Sequence, residues 1–395
     1  MQNFIYFTPT KVVFGKDAEK QTGTLLKEQN AKKVLVHYGG GSAKRSGLLD
    51  IVEKSIRDAG IDFIELGGVV PNPHLSKVYE GIELCRKEHV DFLLAVGGGS
   101  VIDSCKAIGY GMANEGDVWD FYTHARNPSA CMPVGVVLTL SATGSEMSNS
   151  SVITNEKGGI KRGCNTDLCR PKFALMNPEL TYTVPMYQTQ SGCADILMHT
   201  MERYFNSEKN NMELTDSLAE AEMRTVIHNA KILLKDPHNY AARAEVMWAG
   251  SLSHNGLMGC GTDGGDWASH QIEHEMGGMF DVTHGAGLAA IWSSWARYVY
   301  QNASDRFAKF AVNVLNVDPG KNDEETALKG ISAMENFYHE IGMPTSMHEL
   351  GINPTEAQIL EMADKCSWHG KRTVGTVKKL NSDDIAAIYR MALNK

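Results

Sequence analysis

The sequence contains no uninterrupted apolar run near the roughly 18 residues that a membrane span needs, which argues against a membrane-spanning protein. It has no C-x-x-C pair either: the eight cysteines are scattered singly from Cys85 to Cys366. In a chain of 395 residues that scatter excludes the dense disulfide framework of a small secreted domain and predicts reduced thiols. There is no basic run of five or more residues, and the net charge is −9, which argues against nucleic acid or an anionic membrane as a partner. The opening MQNFIYFTPTKVVFG has neither the basic start nor the long apolar stretch of a secretion signal, so the expectation is a cytoplasmic protein. Internal repeats and low-complexity linkers are absent, and the 19 methionines read as core filler.

What is present is ordinary globular material, 43% hydrophobic and 22% charged, in a chain too long for one comfortable core. Two domains are expected. In the first half, short apolar runs alternate with helical patterns: KKVLVHYGGG, LLDIVEKSIRDAG, DFIELGGVVPNP, LSKVYEGIELCRKEHV, DFLLAVGGGS. That rhythm predicts a parallel sheet with helices on both faces. From about Pro185 the patterns are long and helical, and two tail segments, NPTEAQILEMADKCSW and NSDDIAAIYRMALNK, begin with N-cap candidates. The expected fold is therefore α/β followed by all-α, divided into residues 1–183 and 184–395. FIYFTPTKVVFG alternates like a strand and is expected to form a hairpin, which either pairs with a second subunit or closes one sheet edge.

Three strand ends carry the signal for a phosphate-bearing ligand. LLAVGGGSVID delivers Gly97, Gly98 and Gly99 to the end of a buried strand, with a helix starting near Ser100. Glycines there let the backbone approach a pyrophosphate, and the free amides of the helix start favour an anion. The spacing is not G-x-G-x-x-G, because Ile102 stands where the third glycine would fall. A second turn, HYGGGSAKRSG, ends an earlier strand in Gly39, Gly40, Gly41 and Ser42, followed by Lys44 and Arg45. In dinucleotide sites an acid at such a strand end often holds the adenosine ribose 2′-hydroxyl. Here positive charge replaces it, which favours NADP(H) over NAD(H). The third loop, LTLSATGSE, offers the hydroxyls of Thr139, Ser141, Thr143 and Ser145 to a ribose or carboxamide.

The histidines concentrate elsewhere. Of 14 in the chain, three fall within DWASHQIEHEMGGMFDVTHGAG. Asp195 and His199 lie at i and i+4 in GCADILMHTMERY, on one face of an apolar helix. A buried aspartate beside a histidine needs a partner or a metal. His270 and His274 repeat the spacing on a second helix, and His284 follows where that helix ends. Asp195, His199, His270 and His284 would form a one-carboxylate, three-imidazole set suited to Fe(II) or Zn(II) rather than Mg or Ca. His274 would then stand beside the ion as a proton carrier. HQIEH also fits H-x-x-E-H, in which Glu273 would be the general base of a zinc hydrolase. That alternative leaves the glycine turns, Asp195 and His199 without a role, as does a nucleotide-binding protein without turnover for the four-ligand set.

Taken together, VGGGSVIDSCKAIG, LTLSATGSE, ADILMHTMERY and DWASHQIEHEMGGMFDVTHGAG resemble the iron-containing (group III) alcohol dehydrogenases, and within them the butanol dehydrogenase and broad aldehyde reductase branch. The resemblance runs in order from FIYFTPTKVVFG to about residue 350. It implies a Rossmann-like dinucleotide-binding domain, a helical metal-binding domain and an active site in the cleft between them. It implies one divalent ion on Asp195, His199, His270 and His284. It also implies coenzyme contacts from Gly40, Ser42, Asn72, Gly98, Gly99, Ser100, Asp103, Thr139, Thr143 and Lys161. The expected partner is a small alcohol or aldehyde, and the expected assembly a homodimer through the N-terminal strand. The sequence departs from the branch wording at Ser141, where proline is usual, and at Asn177, where Asp is common.

Overall fold

The computed structural model describes residues 1–206 and 211–394. The chain divides into two compact units, Phe7–Val184 and a helical unit of Pro185–Lys395 joined by Met1–Tyr6.

The first unit is built on eight strands: β1 (Lys11–Phe14), β2 (Lys33–Gly39), β3 (Asp62–Val69), β4 (Phe92–Gly97), β5 (Val134–Leu138), β6 (Ser150–Asn155), β7 (Ile160–Asn165) and β8 (Phe173–Met176). Six form one sheet in the order β1-β8-β5-β4-β2-β3, and each pairing in it is parallel. Strands β4, β5 and β8 are buried at every residue, as near-continuous apolar runs must be when both faces are covered. The one polar residue deep in β2 is fully satisfied. His37 Nδ1 donates to the Leu66 carbonyl at 2.7 Å, and Nε2 accepts from the Ser104 hydroxyl at 2.9 Å. Burial pushes its pKa down to about 4, so the ring is neutral and fixed in one tautomer.

The order places β2 at a turning point: the chain goes from β2 outward to β3, then returns to β4 on the other side. The carboxyl ends of β2 and β4 therefore flank a crevice of the kind where ligands of such sheets bind. Strands β6 and β7 form a separate antiparallel hairpin, with Thr154 opposite Lys161, closed by Gly158 and Gly159 at positive φ.

The expected N-terminal hairpin is not formed. Residues 1–10 carry no strand, and Lys11–Phe14 pairs in parallel with Phe173–Met176 at the sheet's edge. Pro9 cannot donate to a ladder, and the short apolar stretch after it satisfies its backbone on β8 instead. Asn177, at the end of β8, donates its side-chain amide to the buried Glu19 carboxylate at 3.1 Å. An aspartate there would set two carboxylates together.

The second unit is helical. Its main helices are Met186–Tyr204, Glu213–Lys235, Tyr240–His254, Ala268–Phe280, His284–Val299, Asp323–Glu340, Glu356–Cys366 and Ser382–Leu393. The last two begin with capping boxes on Thr355 and Asn381, in line with the sequence. Trp292, Trp295, Phe205 and Phe307 are fully buried in its core, with Phe205 and Phe307 stacked at 4.3 Å. None of the helices is long and apolar enough to cross a membrane among the described residues. All eight cysteines are free thiols.

Candidate metal and coenzyme sites

Three helices of the second unit converge on one point. Met186–Tyr204 is buried from Thr189 onward and brings Asp195 and His199 to the same face. Ala268–Phe280 contributes His270, and His284–Val299 begins with His284. Asp195 Oδ1 lies 3.5 Å from His199 Nδ1, 3.7 Å from His270 Nε2 and 3.7 Å from His284 Nε2. Those separations are too long for hydrogen bonds. They are close to the roughly 3.4 Å that separates donors in a tetrahedron with bonds of about 2.0–2.1 Å.

The decisive feature is what these atoms lack. Asp195 Oδ1, His199 Nδ1 and His270 Nε2 are buried and have no hydrogen-bond partner among the described residues. Three orphaned donors and acceptors at one point would be costly in a folded core, and a divalent cation satisfies all of them at once. Charge agrees. Burial pushes His270 down, yet the Asp195 and Glu202 carboxylates outweigh it and raise its pKa to about 9. The pocket is thus built to hold positive charge. Burial, with the surrounding imidazoles, holds His199 well below the usual histidine range, which keeps it in the neutral form that binds metal. One carboxylate and three imidazoles suit Fe(II) or Zn(II).

A second ring of residues aims the ligands, and the sequence reading missed most of it. Glu202, one turn past His199, accepts from His270 Nδ1 at 3.1 Å and from the His270 backbone N–H at 2.9 Å. Glu273, wholly buried, takes a short hydrogen bond from His284 Nδ1. Each acid fixes which ring nitrogen is left for the ion. His254 stacks on His199 at 4.1 Å between ring centroids, and Trp267 packs 5.2 Å from His270 under the Arg203 guanidinium. Trp267 sits at φ 60°, a strained value for a bulky residue, with its indole N–H bonded to the Gly264 carbonyl. Only Glu202 left a sequence signal: an acid three residues after His199 on an apolar helix.

The position of Glu273 gives the hydrolase alternative no support. A general base must reach a water, whereas Glu273 is committed to His284. The potential ligands fall into two clusters, Asp195 with His199 and His270, and Glu273 with His274 and His284; His284 is tied to the first by its 3.7 Å approach to Asp195, whereas the His274 ring lies 5.9 Å from that of His284.

In the first unit, the expected coenzyme residues gather at the carboxyl ends of adjacent strands. Asn72 follows β3, Gly40 and Ser42 follow β2, Gly98, Gly99 and Ser100 follow β4, and Thr139 and Thr143 follow β5. Gly99 opens the Gly99–Ala113 helix, and a Cβ there would overlap the Thr143 hydroxyl and methyl. Gly41 sits at φ 111°, and Arg45 folds back so that its guanidinium lies 3.3 Å from where a Gly41 Cβ would be. Asn72 takes the left-handed region at φ 52° and is buried. Lys161 reaches inward from β7 and is 3% exposed. Asp103 has both oxygens engaged by the protein, one by the Ser145 hydroxyl at 2.5 Å and one by the Val152 N–H at 2.9 Å.

The chain matches known proteins along its whole length. Residues 9–178 match the family described as iron-containing alcohol dehydrogenase, and residues 189–393 match the Fe-containing alcohol dehydrogenase family, C-terminal. A probable NADH-dependent butanol dehydrogenase of Bacillus subtilis is 41% identical, with all of both chains covered. The NADPH-dependent aldehyde reductase of Escherichia coli is 34% identical, over 99% of this chain and all of that one. The crystal structure of the NADH-dependent butanol dehydrogenase A of Thermotoga maritima superposes with a TM-score of 0.95 at 37% identity, covering 99% of each chain.

Proposed function

This chain belongs to the iron-containing alcohol dehydrogenase family and is an NAD(P)H-linked alcohol–aldehyde oxidoreductase; from that premise we propose that it interconverts butanol-like primary alcohols and their aldehydes with one Fe(II) or Zn(II) ion held by Asp195, His199, His270 and His284. The observation that carries the ion assignment is the set of orphaned buried atoms on Asp195, His199 and His270. When bound, such an ion draws charge from the substrate's carbonyl oxygen as hydride is added at its carbon. Nicotinamide chemistry supplies that hydride.

The chain's own residues do the rest. Glu202 and Glu273 hold the imidazoles of His270 and His284 in orientation. Trp267 and His254 wall the ligands with aromatic surface and reduce access of water. His274 passes the proton to or from the alcohol oxygen through a ring nitrogen. Gly40, Ser42, Asn72, Gly98, Gly99, Ser100, Thr139, Thr143 and Lys161 receive the coenzyme, with the pyrophosphate at the start of the Gly99–Ala113 helix.

On coenzyme choice the proposal is NADP(H) ahead of NAD(H). It is supported by the absence of an acid at Gly39–Ser42 and by the Arg45 guanidinium folded over Gly41. The assembly proposed is a homodimer through the N-terminal segment, where Phe4, Ile5, Tyr6 and Phe7 expose a run of apolar surface.

The test is the oxidation of NADPH, and separately of NADH, by butanal on metal-analysed protein. Turnover that stops with a chelator and returns with Fe(II) or Zn(II), and is faster with NADPH, is the expected result. Undiminished turnover by protein with no bound ion would sink the metal assignment. Clearly faster turnover with NADH would sink the coenzyme preference alone.

A further inference from the structure

One heavily bonded side chain in the sheet unit has no role in the reading above. Lys106, two turns into the Gly99–Ala113 helix, is 0% exposed. Its Nζ donates to the carbonyls of Ser145 at 2.7 Å, Ser150 at 2.7 Å and Ser148 at 3.1 Å. The hydroxyls of Ser145 and Ser148 stand at 2.9 Å and 3.3 Å. Five oxygens therefore surround an ammonium with three protons, much as they would surround a bound cation. All belong to one stretch of chain, the hydroxyl-rich loop after β5 and the first residue of β6.

We propose that Lys106 is a positioning residue of the coenzyme site: a buried internal cation that folds the 139–150 loop against the glycine turn after β4. The proposal rests on the coenzyme reading above. The mechanical link is traceable atom by atom. Ser145 is shared, its hydroxyl accepting from Lys106 and donating to Asp103 at 2.5 Å. The Ser145 N–H in turn donates to Thr143 Oγ1 at 3.2 Å. Thr143 packs over Gly99, and Leu140 over Gly98, where an added Cβ would come within 3.0 Å. So the ammonium holds Ser145, Ser145 orients Thr143, and Thr143 lies against the turn.

Asp103 belongs to the same device. It lies three residues before Lys106 on the helix, and its carbonyl also accepts from the Ser151 hydroxyl at 3.0 Å. Its carboxylate offsets the buried positive charge and ties down β6 through Val152. Asp103 and Lys106 thus shape the site from beneath, whereas Thr139 and Thr143 face the ligand. Without the ammonium, three carbonyl oxygens converge on nothing and repel, and the loop must open to hydrate them.

The test replaces Lys106 with methionine, which keeps the length and drops the charge. Binding of NADPH and NADH is followed by nicotinamide fluorescence, alongside bound ion per chain, melting temperature, and KM and kcat with butanal. Lys106→Met is expected to weaken coenzyme binding and raise the coenzyme KM by roughly tenfold or more, the scale of a lost charged hydrogen bond. Ion content and kcat at saturating coenzyme should stay within about twofold. A general structural defect would lower kcat, KM and ion content together, and that pattern overturns the proposal. So does a folded Lys106→Met variant with wild-type coenzyme affinity. If Lys106→Met does not fold, Ser145→Ala decides: it leaves the lysine its three carbonyls and should weaken coenzyme binding about threefold or more, and unchanged affinity overturns the proposal. If the wild-type protein itself binds neither NADPH nor NADH, the coenzyme reading falls and takes this proposal with it.

Discussion

The two sites solve recognition in opposite ways. At the proposed coenzyme site on the sheet edge, the ligand would be met by backbone: consecutive glycines, a helix start and hydroxyls on short loops. At the proposed metal site in the helical unit it would be met by side chains from three helices, with Asp195 and His284 89 positions apart in sequence but within 3.7 Å in space. Backbone recognition is local, since one turn supplies most of it. Side-chain recognition is collective, because each ligand atom is placed by the packing of a whole helix. The lesson is that damage should spread differently. A side-chain site should fail all at once, and a backbone site by degrees.

His270→Ala strikes the collective site directly and should have the largest effect. Ion retention and turnover are expected to fall together, by about 10³-fold in turnover, while coenzyme binding in the other unit stays at wild-type strength. Metal analysis and nicotinamide fluorescence on one sample test this. If coenzyme affinity fell as well, the two sites would not be independent and the contrast would break. Glu202→Gln touches no ion. It keeps an oxygen for the His270 backbone N–H but weakens the bond that aims the His270 ring. Chelator competition should show ion affinity reduced by roughly 10–100-fold; wild-type affinity would mean that helix packing alone orients the ligand. Gly99→Ala is the smallest perturbation. Its Cβ would collide with Thr143, which can move only by shifting the loop. Coenzyme binding should weaken by about three- to tenfold with no change in ion content. A total loss of coenzyme binding would show that the glycine turn is as brittle as the metal centre.

This contrast also explains what could be read from the chain alone. Asp195 with His199 and His270 with His274 stand at i and i+4, so helical periodicity put each pair on one face before any tertiary contact was known. The glycine turns were equally visible, because a triple glycine after VLVHY or FLLAV has few other uses. The partners of those residues were not visible. Glu273 belongs by sequence to HQIEH, and only the crossing of two helices reveals that its carboxylate serves His284. Trp267 at φ 60° and His254 on the face of His199 depend likewise on helix packing. Lys106 read as an ordinary helix residue, since its five oxygens lie 39 to 44 positions downstream. The N-terminal stretch failed for the same reason. Its alternation is genuine, but the strand partner of Lys11–Phe14 is Phe173–Met176, far along the chain.

The distribution of the metal centre's supports has a consequence for the order in which a growing chain becomes competent. The last ligand, His284, is followed by about a hundred residues before Tyr389 appears, and the Tyr389 hydroxyl donates to the Ile272 carbonyl in the middle of the helix that carries His270 and His274. That bond is buried, and Tyr389 itself is fully enclosed. During synthesis the four proposed ligand residues are therefore all present well before the helix that braces them. The sheet unit, by contrast, is one continuous stretch, Phe7–Val184. If the ion is held as proposed, its site is complete only once the Ser382–Leu393 helix, made after all four proposed ligands, has packed against the helix of His270.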